Sequence, residues 1–237
     1  MSLTYSNYVT ALANMIPLAS TDASYVAILP NCIDYAEQRI YRELDLISTV
    51  SDVNAQITSG SRNLAIPGSL IVLNSMNLIT PNNVAPDSAN STRNPLQRVS
   101  LEFLNFVYPG NTSAAQGQPI YYAVLDGANV RFGPVPNNNW YAEFIGTVRP
   151  APLASGNQTT FLSTNLPDLF FSASMIFILG WMRDFGQMAG DPQASQSWES
   201  QYQLLKGSAA VEEARKKAQS AAWQPYSPAP LATPPRQ

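Results

Sequence analysis

The sequence predicts an α+β protein: a helical bundle of about four helices with an inserted small antiparallel β-sandwich or barrel and an extended C-terminal arm. Three observations lead there. Apolar residues recur at helical spacing toward both ends of the chain. Between them the pattern changes to short alternating runs broken by Pro, Gly and Asn. After Trp223 the chain reads QPYSPAPLATPPRQ, whose five prolines forbid helix or central strand. The implied division is a helical domain from residues 1–50 and 165–222, a β insertion over 51–164 and an arm over 223–237.

Taken in order, Thr4 can cap a first helix whose apolar face is Tyr5, Tyr8, Val9, Leu12, Met15 and Ile16, ended by Pro17. A second helix starts at Pro30 and Asn31, since Pro suits the first turn and Asn caps it. Its stripe is Ile33, Ala36, Ile40, Leu44 and Ile47, with Asp34, Gln38, Arg42 and Asp45 on the other side. From about Gln56 strands are predicted: Arg62–Ile66, Leu70–Ile79, Pro95–Val99, Ile120–Leu125, Asn129–Phe132 and Trp140–Val148. Asp126-Gly127 is a hairpin signal. Ser100 caps a short helix bearing Leu101, Leu104 and Val107. Pro81–Asn94 and Asn111–Gln118 read as exposed polar loops.

Helices return with Asn165 as cap and Pro167 in the first turn. Leu169–Met182 is apolar on every side, so it must be covered all round. That run is shorter than the roughly 20 residues a bilayer requires, and no membrane span is expected. A buried seam is expected between this helix and the second one, formed by Ile33, Ile40, Leu44, Phe171 and Ile178. Gly190-Asp191-Pro192 turns the chain into a last helix with the stripe Trp198, Tyr202, Leu205 and Ala209. Its Glu212–Lys216 and Glu213–Lys217 pairs, each four apart, read as a solvated face.

Composition narrows function. Charged residues make up 12% of the chain, about half the usual share, so a surface largely hidden in an assembly is expected. Net charge is −3, and Lys206 is the first lysine, so tight nucleic-acid binding is not expected. The chain has no histidine, which removes the commonest general base and metal ligand. Cys32 is the only cysteine, so no intrachain disulfide forms, and it reads as a small buried hydrophobe. Residues 1–30 carry no Lys or Arg, so no signal peptide is expected, and the sequons at Asn90, Asn111 and Asn157 are chance matches. No phosphate loop, metal cluster or nucleophile–base pair is readable, and no catalytic residue or cofactor is expected. Asp45 with Asp52, or Asp184 with Asp191, are the available carboxylate pairs, and acidic residues near helix ends are more often caps and solvated charges.

A series of segments carries a resemblance: AEQRIYREL at 36–44, RNLAIP at 62–67, QPIYYAV at 118–124, VRFGPVP at 130–136, VRPAPL at 148–153, TNLPDLFFSA at 164–173, and Asp191, Pro192, Trp198 and Tyr202. In this order they resemble the head–tail adaptor (connector) proteins of tailed bacteriophages. The resemblance covers Thr4 to about Leu205; the low charge and the long Asn/Ser loops depart from it. It implies a non-enzymatic structural part of the virion, at the head–tail interface. Such proteins form a homo-oligomeric ring, typically a dodecamer, under the portal protein. The ring extends the DNA channel and gives a tail or neck protein its docking surface. In such adaptors the C-terminal segment can clasp the portal, so the arm is expected to do so here; along it Trp223, Tyr226 and Leu231 read as three apolar anchors and Arg236 as a charge near the end. Two other classes are a carbohydrate- or receptor-binding β module using Tyr121, Tyr122, Trp140 and Tyr141, and a carboxylate-only cell-wall hydrolase.

Overall fold

The computed structural model describes residues 3–16, 21–112, 115–184 and 194–221. The helices in chain order are α1 (Tyr5–Asn14), α2 (Ala23–Glu43), α3 (Leu101–Val107), α4 (Phe161–Asn165), α5 (Pro167–Asp184) and α6 (Ala194–Ala221). The strands are β1 (Val50–Ile57), β2 (Asn63–Ala65), β3 (Leu70–Thr80), β4 (Thr92–Pro95), β5 (Gln97–Arg98), β6 (Gln116–Gly117), β7 (Tyr121–Val124), β8 (Asn129–Gly133), β9 (Val135–Pro136) and β10 (Trp140–Val148). The fold is α+β, as the sequence predicts. Two compact units divide the chain: Met1–Ile47 with Pro150–Gln237, and Ser48–Arg149. Residues 150–164, placed in the β insertion from the sequence, lie in the helical unit, where Leu153 and Leu162 are buried.

In the helical unit α2 starts earlier than expected. Asp22, not Asn31, caps it, accepting from the N–H groups of Ser24 (2.9 Å) and Tyr25 (3.1 Å). Pro30 lies inside the helix, on its exposed side. The carbonyl that Pro30 deprives of a partner is that of Val26, itself an exposed residue, so water can serve it. The apolar stripe runs past the proline unbroken, from Tyr25 and Leu29 before it to Cys32 after it. It reaches Ile33, Ala36 and Ile40, all fully buried. The helix ends at Glu43; Leu44 follows in extended conformation and is still buried.

The other helices of this unit pack against α5. Tyr8 of α1 stacks on Phe170 with ring centroids 4.6 Å apart, and its hydroxyl bonds to the Ser174 hydroxyl at 2.7 Å. Thr160 opens α4 with a capping box shared with Ser163. Asn165 is the last residue of α4 and does not cap α5, which begins at Pro167, where a missing N–H costs nothing. Leu169, Phe170, Met175, Ile178 and Met182 are buried, while Phe171, Ile176, Phe177 and Trp181 are half-buried. The turn expected at Gly190-Asp191-Pro192 lies outside the described residues.

The β unit is two four-stranded sheets, ordered β1-β10-β3-β4 and β2-β8-β7-β5, with a two-stranded β6-β9 pair. Ile57, Met76, Leu78 and Phe144 from the first sheet share one core with Tyr122, Val130 and Phe132 from the second. Pairing is antiparallel except at β5–β7 and β6–β9, which are parallel. β1 was not expected from sequence, because its edge position leaves both faces partly open and its residues do not alternate cleanly. It pairs with β10 along its whole length, from Val50↔Thr147 to Ile57↔Trp140. The run expected as one strand at Pro95–Val99 is split by buried Leu96, so β4 and β5 join different sheets. The loop expected at 81–94 gives way to β4 at Thr92 and is tied down: Pro86 is buried and its carbonyl accepts from the Ser91 hydroxyl at 2.6 Å. At the β10 bulge a Cβ on Gly146 would stand 2.0 Å from the Val72 carbonyl oxygen, so only glycine fits.

Ile40→Asp places an unpaired charge in a fully buried site. It is expected to cost about 3–5 kcal/mol, while Asp34→Ala, at a half-buried position, changes stability by about 0.5 kcal/mol or less. Thermal unfolding followed by circular dichroism checks both; equal melting temperatures for the wild type and Ile40→Asp would mean the stripe is not buried in solution.

Candidate functional site

Among the described residues the densest polar constellation is built on α2. Its apolar stripe faces the core, Arg39 and Glu43 beside that stripe meet α6, and Glu37 on the stripe meets the segment 150–164. Arg39 sends a fork to Glu199 of α6, with Nη1 and Nη2 at 2.8 and 2.6 Å from the two carboxylate oxygens. Its Nε donates to Glu43 at 2.9 Å, and its guanidinium lies 4.3 Å from the centre of the Tyr202 ring. Glu43 also accepts from Lys206 (2.9 Å) and from the Tyr202 hydroxyl (3.1 Å). These contacts hold Glu43 and Glu199 below the ordinary carboxylate value; for Glu43 they outweigh burial, the largest single influence, and for Glu199 the Arg39 bond leads.

Two glutamates stand apart from this exposed network because they are buried. Glu37, 2% exposed, accepts from the Leu153 N–H and the Thr160 hydroxyl, both at 3.2 Å. Among the described residues no ion pair involves it, and burial raises its carboxyl to about 7 against the pull of those two bonds. Glu213, 4% exposed, accepts from the Ile47 N–H at 3.1 Å and pairs with Lys216 at 2.8 Å. The face carrying Glu212 and Glu213 is therefore not wholly solvated: Glu213 points inward and Lys216 serves both glutamates, while Lys217 pairs with Asp45. A sequence signal for both existed. Glu37 sits between Ile33 and Ile40 at steps of four and three, and Glu213 follows Ala209 by four, so each occupies a stripe position.

The expected seam residues fall as follows. Ile33, Ile40 and Ile178 are fully buried and Leu44 is 6% exposed. Phe171 is half-buried, against the edge of Tyr8 and the ring of Trp198. Trp223, Tyr226, Leu231 and Arg236 lie outside the described residues, as do Asp191 and the side chain of Asp184. Cys32 is buried, which pushes its thiol up to about 11. Two open grooves mark this unit: one of about 610 Å³ over Tyr35, Gln38, Arg39, Arg42, Glu43 and Phe177, and a more apolar one of about 350 Å³ that includes Leu3, Met15, Phe171 and Trp198.

In the β unit, buried Glu143 accepts from Asn77 and from Arg93, each at 2.8 Å. They line a shallow groove with Asp52 and Asp87. Of the aromatic residues considered for sugar binding, Tyr122 and Trp140 are buried in the core and Tyr121 and Tyr141 are half-buried. α3 carries an apolar surface patch: Phe106 is 86% exposed, beside Phe103 and Val107. Among the described residues no cluster of three or more His, Cys, Asp or Glu could hold a metal ion. Among the same residues no helix is long and apolar enough to cross a membrane.

The model of one protein family, described as the SU10 adaptor protein, matches residues 3–233. No curated protein matches the chain.

Glu37 predicts a pH dependence with a definite sign. Its folded-state value of about 7 lies above the ordinary 4.5 expected once the chain unfolds. Between those two values the folded protein keeps a proton that the unfolded chain has lost. Its contribution to stability is therefore full below pH 4.5 and is lost as pH rises through 7. At about 1.4 kcal/mol for each pH unit in the window, the loss is about 3 kcal/mol. No histidine titrates in this range, and the lowered carboxyls of Glu43 and Glu199 act at more acid pH. Denaturant unfolding at pH 5 and pH 8 should show the wild type weaker at pH 8, and Glu37→Gln should flatten the difference. An equal drop in Glu37→Gln would assign the dependence to another group.

Proposed function

The chain belongs to the SU10 adaptor protein family, and from that premise we propose that this phage structural protein forms a ring beneath the portal. There it extends the DNA channel and presents the surface on which the tail or neck protein docks. A twelve-fold ring is the expected form, with head-to-tail contacts in which one face of a subunit meets a different face of the next. DNA passes through without being gripped, in keeping with a net charge of −3.

The observation that carries this reading is the extent of the family match. It spans both structural units and runs to residue 233, taking in Trp223, Tyr226 and Leu231 of the proline-rich tail. Exposed apolar side chains supply candidate subunit contacts. Leu204 (76% exposed) and Val211 (51%) lie seven apart on one face of α6, and Phe106 projects from α3. The tail serves as the portal arm: a proline-rich segment loses less entropy on binding than a flexible one, and its three apolar residues act as anchors. The segments around Ser88 and Asn111 are the candidate surfaces for the tail protein, since exposed loops on a rigid scaffold commonly carry contacts.

Truncation after Ala222 tests the arm. The shortened protein is expected to keep its helical circular dichroism signal and to lose binding to purified portal rings, measured by native mass spectrometry and negative-stain microscopy. Undiminished assembly would move docking to the helical unit. Replacing Ser88-Ala89-Asn90 by Gly-Ser-Gly is expected to leave portal binding intact and to weaken tail attachment to assembled particles; unchanged attachment would show that this tip is a passive spacer.

A further inference from the structure

Four strands end the two sheets of the β unit, and three of them are short: β4 has four residues, β2 three and β5 two. β1 has eight, and among the described residues only β10 pairs with it. Sheets keep their edges from pairing further with short edge strands, prolines, lysines and bulges. β1 has none of these: its sequence is VSDVNAQI, and its register against β10 runs without a shift. Val53, Ala55 and Ile57 pack toward the core, while Asp52, Asn54 and Gln56 stay exposed. Among the described residues, the backbone groups on the far side of β1 have no strand to pair with.

The charge beside this edge selects what an added strand carries. Asn54 stands opposite Glu143 of β10, so Asp52 and Asn54 share a face with that carboxylate. A groove of about 590 Å³ opens there, lined by Val50, Ser51 and Asp52 of the strand and by Glu143, Asp87 and Arg93. Arg93 is the only cation among the lining residues, and it is already shared, 2.8 Å from Glu143 and 3.6 Å from Asp87. Three carboxylates thus face one guanidinium, next to unpaired backbone. We propose that β1 takes on a strand from the tail protein, an extended segment in which Lys or Arg alternates with apolar residues. A basic residue opposite Asp52, with Cβ atoms about 5 Å apart, is close enough to enter the groove. The apolar residues extend the core beyond half-buried Val53 and Ala55. The chain's own C-terminal segment does not suit this place, since its five prolines lack the N–H a strand donates. Pairing with β1 of a second copy is disfavoured, because it brings two acidic grooves side by side. The inference rests on the ring reading, which gives the portal to the C-terminal arm and the segment around Ser88 to the tail protein; Asp87 of the groove adjoins Ser88.

The test follows backbone hydrogen exchange in the full chain at three stages: free, assembled on purified portal rings, and after tails purified from the same virion are added. Exchange over residues 50–57 is expected to be alike in the first two stages and to slow about tenfold when tails attach. Asp52→Lys combined with Asp87→Lys, both at exposed positions, should leave portal assembly unchanged and weaken tail attachment about tenfold or more. Asp52→Asn should weaken it less, and it carries the charge test if the double variant misfolds by circular dichroism. Tails that attach while residues 50–57 stay unprotected would overturn the proposal. So would protection already present on portal rings alone, which would give the edge to the portal or to a second copy. Charge-altered protein that folds and recruits tails as wild type does would overturn it too. A protein that never assembles on portal rings would refute the ring reading, and this proposal with it.

Discussion

α5 presents large apolar side chains in every direction, and water is excluded from most of them only if neighbours close in from all sides. Fully burying each such side chain stabilises by about 1.5–3 kcal/mol, so incomplete cover is costly. The helical unit follows from that demand. α1 supplies Tyr8 against Phe170, α2 lays down a stripe from Tyr25 to Ile40, and α6 brings Trp198 against Phe171. The chain leaves the unit after α2 and returns before α4, so the β insertion interrupts the sequence of the helical unit without interrupting its core.

The few charges are spent where helices must be placed sideways as well as packed. Apolar burial is not directional, so α6 could slide along its neighbours at little cost. The Arg39 fork on Glu199, the Glu43 bonds to Tyr202 and Lys206, and the Asp45–Lys217 pair fix its register. Exposed pairs of this kind contribute little stability singly, and their value here is geometric. Glu37 and Glu213 belong to a different class, because burial makes their partners obligatory.

These features suit a structural adaptor. Membership in the adaptor family accounts for a chain whose described residues hold polar networks for positioning and apolar patches for contact. The patches at Phe106 and along α6 lie in separate units.

By itself the sequence determined the fold class, the adaptor resemblance, the α2 and α5 helices and most of the strands. Each of these rests on local periodicity or on an ordered series of short segments, and both can be read from neighbouring residues alone. Tertiary structure alone decided the rest. Pro30 lies within α2 because the carbonyl it strands faces water, which no local rule reveals. β1 exists because β10 is there to pair with it, not because its own residues alternate. Leu153 joins the helical unit because Glu37, 116 positions earlier, receives its amide. Glu37 and Glu213 stand at apolar stripe positions in the sequence, but whether such a carboxylate is solvated or buried depends on a backbone donor arriving from elsewhere in the chain. That arrival is a property of the folded chain, and it is what turns two ordinary glutamates into anchors.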